Sequence, residues 1–241
     1  MAEKAPDLSG KDISDLGLNG TRVRGAAMVN AHITDAFMLN ASIDGMFVGL
    51  KINGIDVAPL IQAELRKKHP LMSDLSPTSA AGVREGFAKV YGLWDELIDR
   101  ARSLDESTLH TRVDDEWSFV ETMRHLVFAT DIWIVRLVAD DPAPIHPWGL
   151  PPPFFGDVQG LEPNSRPTFE EALRMRADRC SRVSSTIDGL DDDALERICT
   201  PSTEGPPPGQ HKVGDALRTI LKEEYWHYTY AVRDLDVLAP G

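Results

Sequence analysis

The sequence predicts a mainly α protein: a bundle of four long amphipathic helices, preceded by a short coil of a different kind. Three observations carry this expectation. Beyond residue 78, four stretches repeat apolar residues with a period of about 3.6, the period of a helix with one buried face. Two of those stretches open on a Ser/Thr-x-x-Glu box, a helix-start signal. Before residue 50 the apolar period is five, which belongs to neither a helix nor a flat strand. A hydrophobic content of 42% in 241 residues is enough for a packed core.

The five-residue pattern runs through Leu8, Ile13, Leu18, Val23, Met28, Ile33, Met38, Ile43 and Val48. Five residues of α-helix rotate a net ~140°, so these side chains would spread around a helix. In a strand they would alternate between faces. A chain that turns a corner once per repeat can point them all at one axis, and Ala26, Ala31, Ala36 and Ala41 suit the tight inside of such a coil. On these residues the segment resembles a pentapeptide-repeat protein, which implies a right-handed, quadrilateral β-helix. Nine repeats make about two coils, fewer than the roughly three stacked units a solenoid needs to stand alone. Residues 1–55 are therefore expected to be the repeat segment and 56–241 the helical bundle.

The helices follow in order. Residues 57–68 predict a short connecting helix. Residues 79–104 carry the stripe Val83, Phe87, Val90, Trp94, Leu97 and Ala101. Ser118 and Glu121 open a helix expected to run to about Ala139, and Thr168 and Glu171 open another to about Ile187. Gly189 reads as its stop. Asp191–Arg197 reads as a helical turn, and Val213 to Val237 as the last long helix, ended by Pro240. Four long amphipathic helices make a four-helix bundle the default architecture. The connection 142–167 is long and holds eight prolines with Trp148, Phe154 and Phe155, so it reads as a lid or as a strap packed on the bundle.

A formal net charge of −13 argues against nonspecific binding to nucleic acid or anionic lipid, which needs clustered Lys and Arg. No apolar run reaches the ~20 residues of a membrane span, because Asp131 and Arg136 interrupt the best candidate. The N-terminus lacks an apolar signal core. Cys180 and Cys199, without CxxC spacing, fit reduced thiols. The expectation is a cytoplasmic protein with no nucleic-acid or membrane partner.

Of seven histidines, only His125 and His227 fall mid-helix on the best apolar stripes. Both Glu223 and Glu224 precede His227. An i,i+4 pair differs by about 40° around a helix and an i,i+3 pair by about 60°, so either glutamate could chelate with it. The E-x-x-H motif of di-iron bundles would choose Glu224, but no second such motif occurs. A mononuclear site of His125, Glu223 and His227 is the simpler expectation. Two imidazoles and a carboxylate leave zinc an open position, and the same donors suit nickel or ferrous iron. Arg124, Arg218 and Arg233 lie near these positions in sequence; surface ion pairs are their ordinary duty, with binding of a carboxylate or sugar hydroxyls as the alternative.

The segments VDDEWSFVETMRHLVFATDIW, holding His125, and LKEEYWHYTYAVRDL, holding Glu223 and His227, resemble the DinB-like superfamily and especially its actinobacterial mycothiol-dependent branch. Many members have histidine where this chain has Glu223. The departure is similar to the mycothiol-dependent maleylpyruvate isomerases, and it implies Glu223 rather than Glu224 as the ligand. The resemblance covers roughly residues 79–240. It implies a zinc-dependent thiol S-transferase or thiol-dependent isomerase of detoxification, in which the metal activates mycothiol or another low-molecular-weight thiol against a small electrophile. Homodimers are common in such bundles. The alternative is a metal-binding stress or interaction protein without turnover.

Overall fold

The computed structural model describes residues 7–23, 26, 28–43, 45, 47–155, 158–200, 207 and 209–240. Contacts between Cα atoms divide the chain into two compact units, Met1–Ala36 and Phe37–Gly241. The first shows its five-residue corners as backbone dihedrals, with positive φ at Gly10, Asp15, Gly20, Asn30 and Asp35. Asn40 and Gly45 continue the series in the second. Gly, Asn and Asp are the residues that visit this left-handed region at least cost, so each of these repeats carries its own corner residue. Two corners close with i→i+3 bonds, from Lys11 N to Leu8 O (3.2 Å) and from Thr21 N to Leu18 O (3.1 Å). Between residues 7 and 50 no strand occurs among the described residues. The nine fifth-position apolar residues are exposed, from 45% at Ile13 to 90% at Val48. The corners are formed, but no enclosed interior accompanies them. Two turns of coil, all that nine repeats could make, would leave few side chains with a layer on both sides to cover them.

The second unit adds an antiparallel hairpin, β1 (Lys51–Ile52) and β2 (Ile55–Asp56). Its tip is Asn53-Gly54, both with positive φ, as a two-residue primed turn requires. Seven α-helices follow among the described residues. The first, α1 (Ala58–Lys68), has no buried residue. Next, α2 (Ala80–Ala101) starts at Ser79, whose hydroxyl accepts from Gly82 N, and buries Val83, Phe87, Val90, Trp94 and Leu97. After the single turn of α3 (Glu106–Leu109), α4 (Phe119–Thr130) opens on a complete Ser118–Glu121 capping box. The same rod continues to Val138, but as a π-helix from Asp131. The change falls where the Asp131 carboxylate is clamped by Arg179 and by the His146 backbone N–H.

The Thr168–Glu171 capping box opens α5 (Phe169–Asp188). Gly189 follows it with φ of −86°, in the right-handed region, so it is not the left-handed terminator that the sequence suggested. A short α6 (Asp192–Glu196) and a two-residue ladder, β3 (Ile198–Cys199) with β4 (His211–Lys212), lead into α7 (Val213–Leu238). The contacts pair α4 with α5 and α7, and α2 with α7 and α5. The main core holds Phe87, Trp94, Met123, Leu126, Leu217, Ile220 and Leu221, each 2% exposed or less. Gly86 lets α2 approach α7: a Cβ there would lie 3.3 Å from the Leu221 side chain and 3.2 Å from Asp74 O. The 142–167 connection packs as a strap against α4 and its π-helical continuation, where Ile145, Val158 and Leu161 meet Phe128 and Ile132. The side chain of Phe154 falls outside the described set. Among the described residues, no helix is long and apolar enough to cross a membrane.

Candidate metal centre

The capping box fixes where α4 begins, and His125 lies two turns in, 4% exposed on the face turned to α7. Glu223 and His227 lie one turn apart on α7. His125 Nε2 stands 3.2 Å from Glu223 Oε2, and His227 Nε2 stands 3.3 Å from the same oxygen. One donor atom from each of the three residues falls within 4.8 Å of the others, and this group could hold a metal ion. The predicted trio is therefore brought together. Glu224 is not part of it. Its carboxylate turns the other way and takes two bonds from Arg176, at 2.9 and 2.7 Å.

The tautomer of His125 follows from its other nitrogen. Nδ1 lies 3.0 Å from the Leu150 carbonyl oxygen, which only accepts, so Nδ1 carries the hydrogen. In the neutral ring, Nε2 then presents its lone pair to the Glu223 oxygen. A lone pair facing a carboxylate at 3.2 Å calls for a cation: a proton on the ring, or a metal ion among the donors. Burial pushes the Glu223 carboxyl up, but bonding to His125 and His227 outweighs it and holds the group well below the ordinary carboxylate range. Burial pushes His227 below its usual value, against the opposing pull of Glu223. Among the described residues, both ion-pair partners of Glu223 are histidines. Two imidazoles and one ionised carboxylate suit a divalent cation of borderline softness.

Two further residues complete the surroundings. Trp117, immediately before the Ser118 cap, lays its indole 4.4 Å from the His125 ring and 5.8 Å from the His227 ring, nearly parallel to both at 32° and 27°. Its signal in the sequence was an aromatic residue at the position before a helix cap, where side chains fold back on the first turns. Arg124 departs from both duties expected of it. It is 3% exposed and donates to the carbonyls of Trp148, Glu162, Pro163 and Ser165. Burial lowers its pKa, with Glu121 opposing. Arg218 pairs with Asp215, and Arg233 with Glu116 and Asp234, as surface arginines do.

The sequence model of the DinB superfamily matches residues 89–231, more than half of the chain and all three donors of the trio. No curated protein and no solved structure was found to match significantly. By this match the chain belongs to the DinB superfamily.

Proposed function

We propose that the chain is a metal-dependent thiol S-transferase or thiol-dependent isomerase, with His125, Glu223 and His227 holding a divalent ion, zinc before nickel or iron. The observation that carries this reading is the convergence of two imidazole nitrogens on one carboxylate oxygen, at 3.2 and 3.3 Å. When bound, such an ion supplies the charge that turns a thiol, with its ordinary pKa of about 8.5, into the nucleophilic thiolate. The chain's own residues hold and orient. Leu150 O keeps the His125 hydrogen on Nδ1. Glu223 contributes one negative charge to a set of otherwise neutral donors. Trp117 packs its indole against both imidazoles. The substrate pair in this reading is a low-molecular-weight thiol, mycothiol or an equivalent, and a small electrophile.

The framework is a DinB-like four-helix bundle over residues 56–241, with a pentapeptide-repeat segment over 1–55 and a homodimer as the working assembly. The test is metal content per chain, by plasma mass spectrometry, on wild type and Glu223→Ala purified without added metal or chelator. Near one divalent ion per wild-type chain, mostly lost in the variant, is the expected result. No metal in either, even after reconstitution, would make the trio core residues. Metal retained without thiol consumption across a panel of electrophiles would favour a non-catalytic binding protein.

A further inference from the structure

Arg124 is a buried cation without a carboxylate in ion-pair range among the described residues. Its guanidinium spans two limbs of the strap that crosses α4. Nε donates to Trp148 O at 2.8 Å, Nη1 to Ser165 O at 2.7 Å, and Nη2 to Glu162 O and Pro163 O at 3.2 and 3.1 Å. Three of these carbonyls come from one tight turn, closed by Ser165 N to Glu162 O. The limbs are also joined directly, by Glu162 N to Pro147 O. Arginine carries five donors in a rigid fork and is the side chain able to bridge such a divided set of acceptors. Placing a charge in the interior is unfavourable unless its bonds do something a smaller apolar residue would not.

What they hold in place is Leu150. Its N–H donates to Arg124 O at 3.2 Å, and its carbonyl receives His125 Nδ1 at 3.0 Å. The strap comes this close because residue 149 is glycine: a Cβ there would lie 3.2 Å from Phe128 Cβ and 3.1 Å from His146 O. We propose that Arg124 is a positioning residue for the histidine–glutamate trio: by fastening both limbs of the strap it holds the Leu150 carbonyl on His125 Nδ1, and so keeps His125 Nε2 turned toward Glu223. The inference rests on the metal reading for its consequence but not for its first observable. It makes the strap a component of the site, and it couples ion binding at His125 to the seating of the strap on α4. Partners that orient a ligand histidine in this way typically contribute about 10–100-fold in metal affinity.

The experiment uses the full-length chain with two independent lesions, Arg124→Met, which removes the fastener, and Gly149→Ala, which lifts the strap without touching a charge. The first readout is the His125 tautomer in metal-free protein, from long-range nitrogen–proton correlation spectra assigned with His125→Gln. In spectra taken at a pH where the ring is neutral, wild type should hold the Nδ1–H form. Both variants should move toward a mixture with the Nε2–H form, a change that loss of general stability does not produce in molecules that remain folded. The second readout is zinc affinity by competition with a chromophoric chelator, expected to fall about 10–100-fold in both variants. An unchanged tautomer in the folded variants overturns the proposal, whatever zinc does. If Arg124→Met fails to fold, Arg124→Lys, which keeps the charge but loses the fork that reaches both limbs, takes its place. Absence of zinc binding in wild type would overturn the metal reading while the tautomer measurement still judged the role of Arg124.

Discussion

Glu223 and Glu224 are sequence neighbours on α7, yet they stand in opposite surroundings. Glu224 is 1% exposed and meets the Arg176 guanidinium through two charge-assisted bonds. Trp94 lies 4.7 Å from that guanidinium and donates its indole N–H to the Glu224 backbone carbonyl. Arg176 stays charged because Glu224 offsets the penalty of burial. Glu223, with its side chain 34% exposed, faces two imidazoles and no permanent cation. A carboxylate with a full counter-charge in the interior is part of the framework. A carboxylate among donors that can be neutral is ready to accept a charge from outside.

The largest effect that would break this contrast is on the framework side. Removing one member of a buried ion pair leaves the other uncompensated, which typically destabilises by about 3–5 kcal/mol. Glu224→Ala should therefore lower the free energy of unfolding obtained from urea titration by that much, whereas the double variant Arg176→Met, Glu224→Leu should recover most of the loss. A Glu224→Ala protein as stable as wild type would mean that the pair is not part of the framework.

On the site side the expected effect depends on the ion. Zinc at 100 times its dissociation constant should stabilise the wild-type fold by about 2.7 kcal/mol. In Glu223→Ala that gain should disappear. The metal-free stability of this variant should stay within about 1 kcal/mol of wild type, because no fixed cation loses its partner. Thermal unfolding with and without zinc separates the two terms. A zinc-induced rise that survives in Glu223→Ala but vanishes in Glu224→Ala would reverse the assignment of the two glutamates.

The contrast also marks what the sequence could reveal. Capping boxes are local, and Ser118 and Thr168 open their helices where the pattern put them. The five-residue corners are local too and appear as positive φ at positions 10, 15, 20, 30, 35 and 40. The choice between Glu223 and Glu224 is not local. Both spacings reach His227, and it is Arg176, 48 residues away on α5, that removes Glu224 from contention. The Leu150 carbonyl was invisible for a different reason, since a backbone acceptor has no side-chain signature. Arg124 looked like a surface charge because its partners are carbonyls of a proline-rich strap whose path no periodicity describes. The π-helical stretch after Asp131 has the same apolar stripe as an α-helix would, so only the clamp by Arg179 and His146 sets it apart.

Smaller effects test whether the start of α4 matters more than that of α5. Each cap hydroxyl is worth about 1 kcal/mol of stability, so Ser118→Ala and Thr168→Ala should cost similar amounts. Only Ser118→Ala should also loosen Trp117 over the two imidazoles, and Trp117 fluorescence quenching by cobalt reports that. If Thr168→Ala alters quenching equally, the link from cap to site is lost.

The pH response sharpens the same pair of helix starts. Burial raises the Glu121 pKa, but Arg112 and Ser118 more than compensate and hold it below its ordinary value. A carboxylate depressed in the folded state contributes stability that is present above its unfolded pKa of about 4.3 and is lost as pH falls through the folded value. Glu171 is depressed as well, through its bonds from the Thr168 backbone and hydroxyl, but its surroundings are open to solvent. Urea midpoints of wild type, Glu121→Gln and Glu171→Gln between pH 7 and pH 3 should show the difference. The acid-side slope should flatten more for Glu121→Gln, because Glu121 loses a salt bridge to Arg112 that Glu171 does not have. Equal slopes for all three proteins would mean that the fork from Arg112 is screened by water, and that the two helix starts are energetically alike.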